Sequence, residues 1–203
     1  MGFQVKEIQV RGTQHPQHKI SYKEQKTKDI QREDGHRVSE EEYWEKYYEY
    51  GDVHYEWNNG ILEEKPVSDY EAYLMSFWFT SLIHHFLDTY PIAKVIGLEM
   101  GFRLNLSKKV TIRKPDIGVI LNSNSIGIKN RDRTFQGIVD MCIEILSDST
   151  RKEIERDTKA KKQEYCQIKV KEYYVLDRKQ NHTAFYHLAS SGRYNKIKPT
   201  KDS

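Results

Sequence analysis

Apolar and polar positions alternate along this chain with two periods, and the change from one to the other marks its elements. "VSEEEYWEKYYEYG" opens the patterned region. Ser39 followed three residues later by Glu42 has capping-box spacing, and Gly51 can end the helix. "VHYEWNNGILEE" is two strand-like runs around Asn59-Gly60, a dipeptide that favours the type I′ turn of a tight hairpin. Residues 69 to 89 predict a long, aromatic-rich helix that Pro91 terminates. Its His84 and His85 are adjacent and face different sides, which suits packing or surface roles better than a metal pair. "AKVIGLEMGFRLNL" predicts one strand and "VTIRKPDIGVIL" another, followed by a loop holding Asn122, Asn124, Gly127 and Asn130. Ile138 to Leu146 predicts a strand with apolar residues on both faces. Ser149 or Thr150 can cap a helix over about 150 to 168, and "EYYVLD", "TAFYHLA" and "RYNKIK" predict three further strands.

The resulting order is helix, hairpin, helix, strands, helix, strands. It predicts an α/β domain over residues 37 to 203, a mixed β-sheet with α-helices packed on it. Residues 1 to 36 lack this patterning. "FQVKEIQV" could form a short strand, and the remainder, polar and mixed in charge, reads as a flexible arm.

Composition narrows the class. A chain of 203 residues, 37% hydrophobic and 12% aromatic, is long enough to bury its own core as a single domain. Its net charge of +3, from 33 basic and 30 acidic side chains, is too balanced to demand a polyanionic partner, although a local basic face is compatible with it. Cys142 and Cys166 have neither metal nor disulfide spacing, which fits a reduced cytoplasm. The N-terminus shows no apolar signal region, and "FWFTSLIHHFL" is too short and polar to span a bilayer, so no membrane association is expected.

The informative residues are charges in apolar surroundings. Strand alternation places Cys142, Glu144 and Leu146 on one face with Ile138 and Asp140, and Val139, Met141, Ile143 and Ile145 on the other. A covered sheet would bury Glu144, and a lone buried carboxylate needs a cation. In the next helix Ile154, Asp157, Thr158, Lys161, Tyr165 and Ile168 share a stripe at steps of three and four, so Asp157 and Lys161 face protein. Asp116 stands at the start of an apolar strand, where Pro115 cannot donate to a ladder. The same pattern is also that of an ordinary i,i+4 salt pair with Glu144 neutralised by some other lysine.

The runs "PDIGVIL", "IEILSDST", "RDTKAKKQEY" and "VKEYYVLD", with "SEEEYW" and "HYEWNNGILEE" upstream, resemble the Uma-two family of restriction-endonuclease-like proteins within the PD-(D/E)XK nuclease superfamily. The resemblance covers about residues 39 to 189. It implies a restriction-endonuclease-like core, a mixed sheet of about four strands flanked by helices, with an N-terminal helix and β-hairpin. It also implies hydrolysis of DNA phosphodiesters with Mg²⁺ or Mn²⁺. Asp116 and Glu144 match the motif carboxylates that would hold the metal. Lys161 matches a helix lysine, standing in for the position two residues after the acid, which here is Leu146. Asp157 matches an acid of the same helix, and Glu56 a hairpin glutamate. Many relatives carry a histidine where "PVSDYEAYL" has Glu71 and Ala72. "SKKVTIRK", "KNRDR" and Arg151-Lys152 are the expected phosphate contacts. A homodimer is expected because a two-strand cut needs two active sites. Two other readings remain open: a catalytically silent nuclease fold that binds DNA or protein, and an interaction protein that uses the N-terminal arm.

Overall fold

The computed structural model describes residues 32–49, 51–97, 99–147 and 150–198. The expected strand in "FQVKEIQV", the arm up to residue 31 and the possible cap Ser149 lie outside the described residues. Within the described residues, the last part of the expected arm packs on the hairpin: Gly35 N donates to the Leu62 carbonyl, and Glu33 N donates to the Tyr55 hydroxyl.

Two antiparallel strands, β1 (Tyr55–Asn58) and β2 (Ile61–Glu64), form the hairpin in the register Asn58 opposite Ile61. Asn59 and Gly60 turn with φ of 50° and 93°, the left-handed pair that a type I′ turn requires. Ahead of the hairpin, α1 (Glu40–Glu42) starts on Ser39, whose side chain accepts from Glu42 N, and runs into a π-helical turn over Tyr43–Tyr47. The helix α2 (Tyr70–Thr89) starts on Asp69, whose side chain accepts from Ala72 N. Among the described residues no helix is long and apolar enough to cross a membrane.

Two expected strands each divide in two. "AKVIGLEMGFRLNL" contains β3 (Ala93–Ile96) and β4 (Phe102–Asn105), and "VTIRKPDIGVIL" contains β5 (Val110–Arg113) and β6 (Ile117–Leu121). The halves join different sheets. A four-stranded sheet runs β2-β1-β5-β4, and a six-stranded sheet runs β10 (Tyr194–Lys196), β9 (Ala184–Leu188), β8 (Glu172–Asp177), β7 (Met141–Leu146), β6 and β3. The physical reasons lie in the links. Met100 N turns back onto the Gly97 carbonyl, and Glu99 adopts φ of 69°. Gly101 passes so close to β5 that a Cβ would sit 3.0 Å from the Arg113 carbonyl oxygen. In the second link Pro115 offers no ladder donor. The architecture remains a mixed α/β fold, now with two sheets.

The six-stranded sheet holds β7 (Met141–Leu146) parallel to β8 (Glu172–Asp177), and their connection is helical from residue 151 to 167. Strands β9 (Ala184–Leu188) and β10 (Tyr194–Lys196) close that edge by antiparallel pairing. The connecting helix comprises α3 (Arg151–Glu155), a π-helical stretch (Arg156–Lys161) and α4 (Lys162–Gln167). Thr150 caps it in a full capping box with Glu153. Cys142 and Leu146 pack with Tyr165, Phe102 and Leu104 on one face of the sheet, while Ile143 packs with Ile117, Leu176 and residues of α2 on the other. Glu144 therefore sits on the face covered by the connecting helix, as strand alternation predicts.

Candidate active site

Three elements bring charge to one buried point. Strand β7 supplies Glu144, β1 supplies Glu56, and the π stretch supplies Asp157 and Lys161. Each is carried inward by the apolar neighbours that bury its element. Glu144 lies between core residues Cys142 and Leu146, and Lys161 shares a helix face with Tyr165. The Lys161 Nζ is 2.9 Å from Glu144 Oε2, 3.2 Å from Glu56 Oε1 and 3.1 Å from Asp157 Oδ1. The side chains of Glu56, Glu144 and Lys161 are each at most 2% exposed, so their charges are settled by one another and not by water. The Tyr165 hydroxyl donates to Glu144 Oε1 at 3.1 Å, which leaves both oxygens of that carboxyl engaged. Tyr173 anchors the π stretch by donating to the Asp157 carbonyl at 2.6 Å.

The carboxyls do not share this cation equally. Burial pushes Glu144 up to about 8 against the pull of the Lys161 ammonium, with Asp157, Asp116 and Glu56 adding to the rise. Burial would also raise Glu56, but Lys161 and Arg113 together outweigh it and hold that carboxyl well below the usual range. Burial works against the Lys161 ammonium, yet Asp157, Glu144 and Glu56 overcome it and hold its pKa well above that of an ordinary lysine. The ammonium stays charged, and Glu144 is the carboxyl that holds a proton most readily.

Asp116 lies beside this point, one residue along β7. Its Oδ2 accepts from Ile145 N at 2.8 Å, and its Oδ1 accepts from Lys65 Nζ at 3.2 Å. Lys65 also donates to the Lys114 carbonyl and lies 3.4 Å from Glu99. Asp116, Glu99, Ile145, Ser68 and Ala72 line a cavity of about 160 Å³. Ala72, at one of the two positions where the family resemblance leads one to expect histidine, thus faces the same cavity as Asp116. Glu71, its neighbour, points elsewhere and pairs with Arg178. Leu146 fills its place with core packing.

Several site residues escape the sequence patterning. Arg113, fully buried, pairs with Glu56 at 3.1 Å, with Glu63, and with Glu164 at 2.7 Å. Glu164 also accepts from Lys109 at 2.7 Å. This cluster ties the four-stranded sheet to the connecting helix. Two signals for it were present: Arg113 follows Ile112 in an apolar strand, and Glu164 stands three residues after Lys161. Arg113 and Lys114 were expected to contact phosphate within "SKKVTIRK", and neither can, because both are fully buried. The Lys114 Nζ donates to the Tyr48 carbonyl and lies 4.4 Å over that ring. Lys108, Lys129, Arg131, Arg151 and Lys152 remain at the surface, with Lys152 paired to Asp34.

Carboxylate oxygens are the donors a hard divalent ion takes; Asp116 presents a partly exposed one to the cavity, while Glu144, one residue along the strand from the amide that Asp116 binds, is buried with both oxygens engaged. Among the described residues no three His, Cys, Asp or Glu groups form a metal-holding cluster.

The family model Uma2, described as putative restriction endonuclease, matches residues 40–202. Among solved structures, the chain is similar to a putative nuclease belonging to DUF820 from Anabaena variabilis. The two are 16% identical, with a TM-score of 0.57, over 79% of this chain and 84% of that one. No curated protein matches the chain.

Proposed function

Since the chain belongs to the Uma2 putative restriction endonuclease family, we propose that it is a divalent-metal-dependent endonuclease that hydrolyses DNA phosphodiester bonds. The observation that carries this reading is the Lys161 ammonium held among carboxyls from β1, β7 and its own helix, with Asp116 fixed on the adjacent peptide. A structural ion pair needs one partner. This arrangement instead gathers three carboxyls around one ammonium, with Arg113 and Arg156 behind them, beside the cavity that Asp116 lines.

In this reading Asp116 and Glu144 would hold Mg²⁺ or Mn²⁺, and the ion would supply charge neutralisation at the phosphate and a water of lowered pKa. Lys161 would orient the attacking water or stabilise charge developing on the phosphoryl oxygens. Asp157 fixes the position of Lys161, and Glu56 balances its charge. Surface basic residues such as Arg151, Lys129 and Arg131 meet the DNA backbone, and two chains acting together cut both strands.

Plasmid nicking in Mg²⁺ or Mn²⁺ tests the assignment. Asp116→Asn, Glu144→Gln and Lys161→Ala should each lower the rate by about 10²-fold or more, with circular dichroism unchanged. Wild-type cleavage by all three would end it.

A second reading, a silent nuclease fold that binds DNA or protein, draws on Leu146, Ala72 and the fully engaged Glu144 carboxyl. Calorimetry separates the two, because a silent fold shows no Mg²⁺ or Mn²⁺ uptake that depends on Asp116.

A further inference from the structure

Two links carry the chain between the sheets, from β3 to β4 and from β5 to β6, and they run side by side. The strands they join are paired at both ends, Ile96 with Gly118 and Phe102 with Arg113. Between those pairs the backbones nearly touch: a Cβ on Gly97 would lie 3.3 Å from the Asp116 carbonyl oxygen. Glu99 follows in the same link and shares the wall of the cavity that Asp116 lines.

Three oxygens converge there on one nitrogen. The Lys65 Nζ lies 2.8 Å from the Lys114 carbonyl oxygen, 3.2 Å from Asp116 Oδ1 and 3.4 Å from Glu99 Oε1. The Lys65 side chain is 10% exposed, against 27% for Asp116 and 34% for Glu99, so the two carboxylates are reached from outside more readily than the ammonium between them. We infer that Asp116, Glu99 and the Lys114 carbonyl form a divalent-cation site, in which the Lys65 ammonium stands as a tethered cation. Carboxylate and carbonyl oxygens are the donors that Mg²⁺ or Mn²⁺ takes, and such an ion keeps several waters besides. The cavity of about 160 Å³ has room for them, at roughly 30 Å³ of liquid volume per water.

An ordinary ion pair accounts for Lys65 but not for the rest of Glu99. Its Oε2 is buried with no hydrogen-bond partner among the described residues, and the nearest cationic group is His54 Nδ1 at 4.0 Å. A buried carboxylate oxygen left idle is costly, and a ligand oxygen awaiting its ion is one reason to keep it. Glu144 differs, because Lys161 and Tyr165 already engage both of its oxygens. Glu99 therefore gives the cavity a second accessible carboxylate, one that neither the periodicity of the chain nor the family resemblance marks.

The inference rests on the metal-dependent reading for the class of ion, and its test reads the metal alone. Calorimetric titration with Mn²⁺ is carried out on the full chain bearing Lys65→Met, so that a change at Glu99 cannot act through the lysine. Lys65→Ala is the second background if circular dichroism shows the first to be misfolded. In either background Glu99→Gln should weaken Mn²⁺ binding at least about tenfold, and Asp116→Asn should do the same. Glu99→Asp, which keeps the charge on a shorter arm, should recover part of the loss. Uptake that needs Asp116 but is indifferent to Glu99→Gln overturns the site and leaves the nuclease reading standing. A chain lacking the lysine that takes up no Mn²⁺ overturns the site as well. Uptake that depends on both carboxylates in a protein that nicks no plasmid upholds the site and sinks the nuclease reading.

Discussion

Lys161 is the one cation that touches all three carboxyls of the buried cluster, and that shared contact governs what single substitutions do. Removing a partner from a buried ion cluster costs about 3–5 kcal/mol, because the remaining charges stay desolvated. Lys161→Met should therefore destabilise strongly in urea titrations, and pairing it with Glu144→Gln should recover part of the loss. The outer cluster predicts the response to acid. Burial acts to raise Glu164, but the Arg113 and Lys109 contacts outweigh it and hold that carboxyl low, as Lys161 and Arg113 do for Glu56. A carboxyl with a lowered folded pKa contributes stability that is present above its unfolded value and lost as pH falls through the folded one. Below about pH 4.5 the melting temperature should fall steeply, and Glu164→Gln should flatten that limb while lowering stability at pH 7. The core of this site was legible in the sequence, since Glu144, Asp157 and Lys161 each interrupt an apolar pattern. Arg113 was harder to read: it follows Ile112 in an apolar strand, but a basic run reads as solvated surface, and which three glutamates cover it is set by other elements.

At the scale of elements, the π-helical stretch Arg156–Lys161 is where geometry and chemistry meet. Such segments insert an extra residue into a helical turn and recur at functional sites. Here the stretch carries both Asp157 and Lys161 inward. Deleting Ala160 should let the segment close as an ordinary α-helix and turn Lys161 away from Glu144. Helical circular dichroism would be retained, and nicking should drop by about 10²-fold or more. The hairpin, α2 and the connecting helix could be read from capping residues and periodicity. The division of two strands between two sheets could not, because period-two alternation continues past Gly101 and Pro115 without saying which neighbour each half will find.

For the molecule as a whole, two sheets are fastened through charged groups as well as apolar packing. Because Arg113 and Lys114 are buried in internal contacts, fewer cations remain for the proposed DNA substrate than the sequence count suggests. Binding should show a shallow salt dependence, with a log–log slope of roughly −2 to −4, or about 0.9 per phosphate neutralised. Fluorescence anisotropy between low and moderate salt would measure it, and Arg151→Ala should make the slope shallower by about one.

Lys65 gives the cavity a resident counter-charge. Any dication drawn toward Asp116 meets an ammonium already seated on one of that carboxylate's oxygens, so uptake is a competition and not the filling of a vacancy. Lys65→Met should strengthen Mn²⁺ affinity on the order of tenfold in calorimetry. The same lysine follows the hairpin and leads toward α2, so displacing it would slacken a tether between the site and the start of that helix.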